Sequence, residues 1–249
     1  MLDNAPSSVR EKLWTMKHRV IRWMASQSFV DSLHVSLQDQ LRQLGITHVI
    51  DIGANRGQYG RLLRRLGFRG RIISFEPVHE CYESISEVAK ADGNWEVHQL
   101  ALGDADGVVV INVMSDDVFS SLLQPSAVGR EMFPADNRVT KSESVSLRRL
   151  GPLLSSFVPP NEWARTHFKS DAQGSEPAIL RGLGDSLTQL PSLQIEVSLV
   201  GIYEGQAGYQ EVLRPLHELG YELTAFYPVA RDSSLRIVEA DVLLRRFLR

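Results

Sequence analysis

The sequence predicts a doubly wound α/β fold built on a mostly parallel sheet, preceded by a helical extension. From residue 46 onward, short apolar runs typical of buried strands alternate with helical segments of about 10–15 residues, the pattern of a sheet covered on both faces. The chain has 249 residues, of which 43% are hydrophobic and 23% charged. Since a chain of this length and composition can bury one large core, we expect a single sheet domain with the extension attached.

The N-terminal extension, residues 1–45, carries two predicted helices. In residues 9–26, apolar side chains recur mostly at three- and four-residue spacing, with basic residues between them. The apolar positions are Val9, Leu13, Met16, Val20, Trp23 and Met24. Packing on the domain or a homodimer contact fits this segment better than a membrane surface, because it is short and the rest of the chain is acidic. The second helix covers 35–44 and ends at Gly45.

The sheet domain, residues 46–249, contains the alternating strands and helices. The predicted strands cover residues 46–51, 71–76, 95–102, 108–114, 168–171, 193–199, 221–227 and 237–244. The predicted helices cover residues 57–66, 79–91, 176–182 and 209–219. The last two strands have no helix between them, so we expect one of the two to be antiparallel.

Residues 116–161 interrupt this alternation. They hold Pro125, Pro134, Pro159, Pro160 and Ser120-Ser121, with one strand-like piece at 144–147. Because a segment of this length inside a compact domain is usually functional, we predict a lid or substrate loop there. Ser120 and Ser121 are its candidate contacts to the acceptor.

The charge and cysteine content exclude several classes of protein. The formal net charge is −3, whereas a nucleic-acid-binding protein usually needs a basic surface. The single cysteine, Cys81, allows no intrachain disulfide, and we expect it to be a small buried hydrophobe. The basic N-terminus lacks the apolar run of a secretion signal, and no stretch approaches the ~20 apolar residues of a membrane span, so a cytoplasmic location is expected.

The loop after the first strand predicts a cofactor site. Residues 49–59 read Val-Ile-Asp-Ile-Gly-Ala-Asn-Arg-Gly-Gln-Tyr, where two glycines permit a tight turn close to a ligand. The spacing is not the Gly-x-Gly-x-x-Gly of dinucleotide sites, and Asp51 would repel a phosphate. An acid there suits a cationic amino-acid ligand such as S-adenosylmethionine. The candidate cofactor residues in this loop are Asp51, Gly53, Ala54, Asn55, Gly57 and Tyr59.

Two later turns support the same site. Glu76, followed by Pro77, ends the second strand 25 residues after Asp51, where an acid accepts hydrogen bonds from ribose hydroxyls. Nicotinamide enzymes use the same device, so Glu76 alone does not choose the cofactor. Residues 99–104, including Ala101, end the third strand where an adenine would lie.

These residues resemble the motifs of FkbM-type methyltransferases. The similarity covers roughly residues 46–227 and follows the family's motif order. The matching stretches are Asp51-Ile-Gly-Ala-Asn-Arg-Gly57, Phe75-Glu-Pro77, Ala101-Leu-Gly-Asp104, Ser120-Ser-Leu122, Phe168-Lys-Ser-Asp-Ala-Gln-Gly-Ser-Glu176 and Ile195-Glu-Val197. The resemblance implies a class I, Rossmann-like fold with a seven-stranded sheet. It also implies O-methylation of macrolide hydroxyls or of sugar hydroxyls in glycans and glycolipids.

The sequence departs from the family pattern in two places. Ser170 and Ala172 replace bulkier apolar residues beside Asp171. Leu147-Arg-Arg149 stands where the family commonly has Leu-Asp-Asp. If those family acids shape a substrate pocket, this chain would present a cationic wall there instead.

Carboxylates on two successive strands predict the catalytic centre. Asp171 and Glu196 are expected to face the cofactor methyl, either as a general base or as ligands of Mg²⁺, and we weigh the two alternatives equally. Glu176 is either part of this site or an acid favoured by the helix dipole. His167 is a further candidate base, although a histidine inside a strand is more often structural.

The sequence therefore predicts an S-adenosylmethionine-dependent O-methyltransferase acting on a sugar hydroxyl, in an oligosaccharide, a polysaccharide precursor or a glycolipid. Tyr203 and Glu204 would line the acceptor pocket or form an ordinary polar loop. The alternatives are a methyltransferase of a polyketide or other natural product, and a non-catalytic small-molecule-binding protein on the same fold. The dinucleotide glycine spacing of a dehydrogenase and the Asn/Asp-Pro-Pro-Tyr/Phe motif of nucleic-acid amino methyltransferases are both absent.

Overall fold

A computed structural model describes residues 33–247. In chain order, its strands and α-helices are α1 (33–43), β1 (His48–Ile52), α2 (Gln58–Arg65), β2 (Arg71–Phe75), α3 (His79–Asp92), β3 (Trp95–His98), β4 (Ala101–Leu102), β5 (Gly107–Met114), α4 (Ala127–Met132), β6 (Val139–Arg148), α5 (Leu150–Phe157), β7 (Thr166–Ser170), α6 (Glu176–Leu183), β8 (Ser192–Ser198), α7 (Tyr209–Glu218), β9 (Tyr221–Arg231) and β10 (Ile237–Arg246). The predicted helix at 9–26, with its proposed dimer contact, lies outside the described residues.

The main sheet has seven strands in the order β3-β2-β1-β7-β8-β10-β9. All neighbouring strands are parallel except β10, which runs antiparallel to both β8 and β9. This arrangement confirms the predicted class I, Rossmann-like fold, including the antiparallel strand near the C-terminus. The parallel strands β2, β1 and β7 end at the same edge, where open α/β sheets bind their ligands.

Apolar side chains cover both faces of this sheet. On one face, α5, α6 and α7 contribute buried residues such as Leu154, Ile179 and Leu216. On the other, α1 and α2 contribute Leu37 and Leu63. Each fully buried leucine or isoleucine adds roughly 1.5–3 kcal/mol to the hydrophobic stabilisation, so both layers hold the sheet edge rigidly.

A second, three-stranded sheet has the order β4-β6-β5. The sequence predicted one strand over residues 95–102, and this was wrong. The main-sheet strand ends at His98, and Ala101–Leu102 turn away to pair with Leu147 and Arg148 of β6. The partner strand lies more than forty residues later, so local sequence pattern carries no information about the break.

The predicted insertion at 116–161 is more regular than a loop. It contains α4, the ten-residue strand β6 and helix α5. Leu150 and Leu154 of α5 are buried in the main core, so α5 is the covering helix that precedes β7. The part without long elements is the stretch around residues 115–138, beside the cofactor loop.

Helix α1 of the predicted extension packs directly on the sheet. The amide of Gln40 donates hydrogen bonds to Ser192 Oγ at 2.8 Å and to the Leu244 carbonyl at 2.9 Å. The domain division at residue 45 stays a prediction. Across residues 33–247, none of the helices combines the length and hydropathy that crossing a membrane requires.

Candidate functional site

A cavity of about 490 Å³ opens at the carboxyl ends of β1, β2 and β7. Ten of the residues predicted for the site line it: Gly53, Ala54, Asn55, Tyr59, Glu76, Pro77, Ala101, Ser120, Ser121 and Asp171. The volume falls within the roughly 300–1,000 Å³ of small-molecule sites. Segments far apart in sequence therefore meet at one cavity.

Gly53 fixes the path of the loop after β1. Its φ is +70°, and a Cβ atom built on it would lie 1.8 Å from the carbonyl oxygen of Asp171. The backbone amides of Gly53 and Ala54 both donate to the Phe75 carbonyl, at 3.1 and 3.2 Å. The loop is thus held between the ends of β2 and β7, and glycine is required by both conformation and space.

Asp51 lies beneath this loop and is fully buried. Its Oδ2 accepts a hydrogen bond from Ser74 Oγ at 3.1 Å, and its Oδ1 lies 3.4 Å from the Lys169 ammonium without hydrogen-bond geometry. Burial raises the pKa of Asp51, and the attraction of Lys169 offsets only part of that rise. Asp51 is not part of the cavity wall, so it acts on a ligand through its charge and through its neighbours.

Lys169 is a central residue that the sequence analysis left out of its candidate site. Its Nζ lies 3.4 and 3.3 Å from the carbonyl oxygens of Ile52 and Gly53, and 3.5 Å from Asp171 Oδ2. Burial lowers the pKa of Lys169, but the charges of Asp171 and Asp51 outweigh burial and raise it, so the side chain is a cation. The sequence signal that could have identified Lys169 was its position two residues before Asp171, since side chains two residues apart along a strand point to the same side.

Glu76 is positioned by backbone amides. Its Oε2 accepts from the Asn55 amide at 2.7 Å and its Oε1 from the Val78 amide at 2.9 Å. Burial raises the pKa of Glu76 to about 7. The carboxyl group is therefore held in one orientation at the cavity wall, where the sequence placed a ribose.

Asp117 connects the stretch after β5 to the cofactor loop, a contact the sequence did not reveal. It accepts hydrogen bonds from Asn55 Nδ2 at 2.9 Å and from Arg56 Nε at 2.7 Å. Burial raises the pKa of Asp117, but these two hydrogen bonds outweigh it and lower the value overall. The segment predicted as a substrate loop is thus anchored to the cofactor loop.

Asp171 and Glu196 are brought together by Gln173. The Gln173 amide nitrogen donates to Asp171 Oδ1 at 3.0 Å and to Glu196 Oε2 at 2.7 Å. Its carbonyl oxygen accepts from the hydroxyl of Tyr203 at 2.9 Å. Asp171 lines the cavity and its side chain is 34% exposed, whereas Glu196 does not line it. Only Asp171 is placed to contact a ligand directly.

The predicted Mg²⁺ site does not fit these residues. The position between Asp171 and Glu196 is taken by the Gln173 amide, and within residues 33–247 no group of three His, Cys, Asp or Glu side chains is arranged to hold a metal. Glu176 instead accepts from the amides of Ala172 and Gly174, at 2.6 and 2.9 Å. It shapes the loop after β7, and of the two roles considered for it, the structural one fits.

His167 is not placed to act as a base. It is fully buried, with Nδ1 2.6 Å from Ser192 Oγ and Nε2 3.0 Å from the Tyr59 hydroxyl, and it lies outside the cavity. Burial lowers the pKa of His167 to about 3, so it is neutral. The Tyr59 hydroxyl donates to Gln194, so Nε2 of His167 carries the proton and the imidazole fixes the tyrosine.

Two of the predicted acceptor residues, Tyr203 and Glu204, do not line the cavity. Tyr203 is buried, and its hydroxyl proton lies between two acceptors, the Phe119 carbonyl at 2.8 Å and the Gln173 carbonyl oxygen, so it supports the site from behind. Glu204 is exposed and outside the cavity. Arg148 and Arg149 also lie outside it, so they form no cationic wall there.

Acidic side chains accumulate where β8 and β10 meet the site. Glu196 lies opposite Asp241 in the antiparallel pair of β8 and β10, and Glu239 lies two residues before Asp241 on β10. Glu239 is 6% exposed and its Oε1 has no hydrogen-bond partner. Burial, together with the charges of Asp171, Glu176 and Asp241, raises its pKa to about 7.

Replacing Glu239 with glutamine should stabilise the protein in a pH-dependent way. The folded state of the native chain binds more protons than the unfolded state between the ordinary glutamate pKa and about 7, so its unfolding free energy falls as pH rises through that window. Glutamine does not titrate, so the variant should gain about 1–3 kcal/mol near pH 8 and clearly less near pH 5. Urea unfolding at both pH values measures this; an equal difference at both would contradict the buried, ionising carboxyl.

Comparison with known proteins identifies a matching family and a curated relative. The family described as "Methyltransferase FkbM domain" matches residues 51–223. The chain is similar to the 2-O-methyltransferase NoeI of Sinorhizobium fredii (strain NBRC 101917 / NGR234), with 26% identity over 208 residues, 79% of this chain and 78% of that one.

Two solved structures match this chain at low sequence identity. An rRNA methylase from Streptococcus thermophilus is 14% identical, with a TM-score of 0.45 over 87% of this chain and 97% of that one. Aeropyrum pernix fibrillarin in complex with S-adenosyl-L-methionine is 12% identical, with a TM-score of 0.42 over 80% and 66%. With its family match over most of the chain and its seven-stranded sheet, this protein belongs to the FkbM family of methyltransferases.

Proposed function

We propose that this methyltransferase transfers the methyl group of S-adenosylmethionine to a hydroxyl of a sugar, in an oligosaccharide, a polysaccharide precursor or a glycolipid. The observation that carries the proposal is the Asp171 carboxylate, which faces the cavity beside the Gly53 loop and is oriented from both sides. Lys169 contacts its Oδ2 and Gln173 donates to its Oδ1. A carboxylate fixed at such a point is suited to accept the proton of an attacking hydroxyl.

The cavity suits the proposed methyl donor in charge and in shape. Asp51 and Asp171 flank the single buried ammonium of Lys169, so this end of the cavity keeps a negative charge that favours a cationic amino-acid ligand. Glu76 has lone pairs left to accept from two ribose hydroxyls. The wall beyond it is apolar, formed by Phe75, Val78, Leu100, Ala101, Leu102 and Ile111, as an adenine requires. When bound, S-adenosylmethionine supplies an electrophilic methyl group on a sulfonium.

The residues of this chain would act mainly by positioning. Lys169 and Gln173 hold Asp171 in one orientation, and Glu196 holds Gln173 in turn. Positioning of this kind contributes several kcal/mol to lowering a barrier, and removal of the proton by a base adds about 10²–10⁴-fold. In this proposal, Asp171 accepts the hydroxyl proton and no metal ion is invoked.

The choice of a hydroxyl acceptor is supported by the relative named 2-O-methyltransferase. The choice of a sugar rests on the acceptors of the family that the sequence resembles. A natural-product hydroxyl is the competing acceptor.

The experiment is a transfer assay with S-adenosylmethionine labelled in its methyl group. Neutral oligosaccharides, a glycolipid extract and a polyketide alcohol serve as parallel acceptors, and product is identified by mass and by the position of the new methyl ether. Label in a sugar ether supports the proposal. Label in the polyketide alone would assign a natural-product acceptor, and donor binding with no transfer to any hydroxyl would indicate a binding protein.

A further inference from the structure

The cavity continues beyond the cofactor loop along one face of α2. Gln58, Leu62 and Arg65, spaced by four and three residues, line this part, and they lie on one side of the helix. Leu33 and His34 of α1 and Val229 of β9 line the same cavity. From Gln58 to Arg65 the helix rises about 10 Å, so this "α2 lobe" extends well past the Gly53 loop.

Arg65 differs from the other arginines around α2. Arg56 binds Asp117 and Glu80, Arg61 donates to the Arg56 carbonyl, and Arg64 binds Asp92 with two nitrogens. For Arg65, the one that lines the cavity, the part of the chain from 33 to 247 provides no hydrogen-bond or ion-pair partner. The helix dipole favours a basic residue such as Arg65 in the last turn of α2. This interaction uses none of the five N–H donors of the guanidinium, which stay open to a ligand.

The two ends of the cavity carry opposite charge. Asp171 and Asp241 line it near the methyl-transfer end, and Arg65 lines it at the far end of the α2 lobe. An acceptor with an anionic group is repelled by the carboxylates and attracted by the guanidinium. That difference would orient the molecule with its anionic end at Arg65 and a hydroxyl at Asp171. Arginine is well suited to this because its planar fork binds phosphate or carboxylate with two hydrogen bonds.

We propose that the α2 lobe is the acceptor subsite and that Arg65 binds an anionic group of the acceptor, a phosphate or a carboxylate, while the hydroxyl to be methylated lies at Asp171. The inference rests on the proposed function and narrows its substrate to a sugar bearing an oxyanion. The competing ligand for Arg65 is the carboxylate of the methyl donor itself, and the two assignments predict different effects of one substitution.

The test compares Arg65→Ala with Arg69→Ala, which removes another exposed arginine, one outside the cavity. S-adenosylhomocysteine is titrated into each protein, and a hexose phosphate, a hexuronate and the neutral hexose are then titrated into the saturated enzyme. We expect Arg65→Ala to leave S-adenosylhomocysteine affinity within about threefold and to weaken the anionic sugar about 10–100-fold, the range of a charge-assisted contact. Arg69→Ala should change neither.

The outcomes separate the assignments. Tighter binding of the phosphate or of the uronate identifies which oxyanion the lobe takes. A large loss of S-adenosylhomocysteine affinity in Arg65→Ala would overturn the proposal, because Arg65 would then bind the donor. Equal affinity for anionic and neutral hexoses would also overturn it. A native protein that binds no S-adenosylhomocysteine contradicts the proposed function instead, before any sugar is added.

Discussion

Replacing Gly53 with alanine should weaken S-adenosylhomocysteine binding by at least about 100-fold. The new Cβ would meet the Asp171 carbonyl at 1.8 Å, and the residue would keep a φ of +70° that only glycine adopts freely. Left-handed backbone costs about 1–2 kcal/mol and overpacking about 1–3 kcal/mol, so the loop moves or the fold loses stability. Calorimetric titration measures the affinity, and thermal unfolding measures the stability.

Gly67→Ala is the matched control for that change. Gly67 also has a positive φ, +86°, but a Cβ there would meet nothing within 4 Å. It should therefore lose about 1–2 kcal/mol of stability and keep its affinity for the ligand. Equal affinities in the two variants would show that the close approach of Gly53 to Asp171 is unimportant for the cofactor loop.

Replacing Asp171 with asparagine should lower kcat by about 10²–10⁴-fold, the usual contribution of a general base. Asparagine keeps the size of the side chain and its hydrogen bond to Gln173, but it accepts no proton. The affinity for S-adenosylhomocysteine should fall less than tenfold, since Asp51 still pairs with Lys169. Single-turnover methyl transfer at saturating donor isolates the chemical step.

Glu196→Gln provides the contrast. Glu196 lies outside the cavity and contacts Gln173 rather than a ligand, so its substitution should cost at most about tenfold in kcat. If Glu196→Gln were the more damaging change, the base would be assigned to the wrong carboxylate. If both variants kept full activity, neither carboxylate would act as a base.

Local sequence pattern was sufficient for most of the fold. Apolar runs ending in an acid located β1 and β2 within two residues of their bounds, because burial on both faces leaves a continuous apolar signature. Helix α5 was missed because Gly151 and Pro152 in its first turn resemble a loop, while its buried leucines become apparent only against the sheet. The break between β3 and β4 depends on pairing with a distant strand.

The candidate site was predicted less completely. Asp51 and Glu76 follow strands directly, so their place at the sheet edge is a consequence of topology. The roles of Lys169 and Gln173 depend on which atoms their side chains reach, and Gln173 has a φ of +50° that no pattern indicates. His167 shares a face of β7 with Lys169 but lies two residues farther from the carboxyl end of the strand, so it does not reach the cavity.

The most direct test of the central claim is titration of S-adenosylhomocysteine into the native protein, Asp51→Asn and Asp104→Asn. Asp104 is a carboxylate outside the cavity that pairs with Arg181. The proposed donor site predicts micromolar binding to the native protein and to Asp104→Asn, and a loss of about 100-fold or more in Asp51→Asn, the cost of breaking a buried charge pair. Absence of binding to the folded native protein, or equal binding to all three, would contradict an S-adenosylmethionine site built around Asp51.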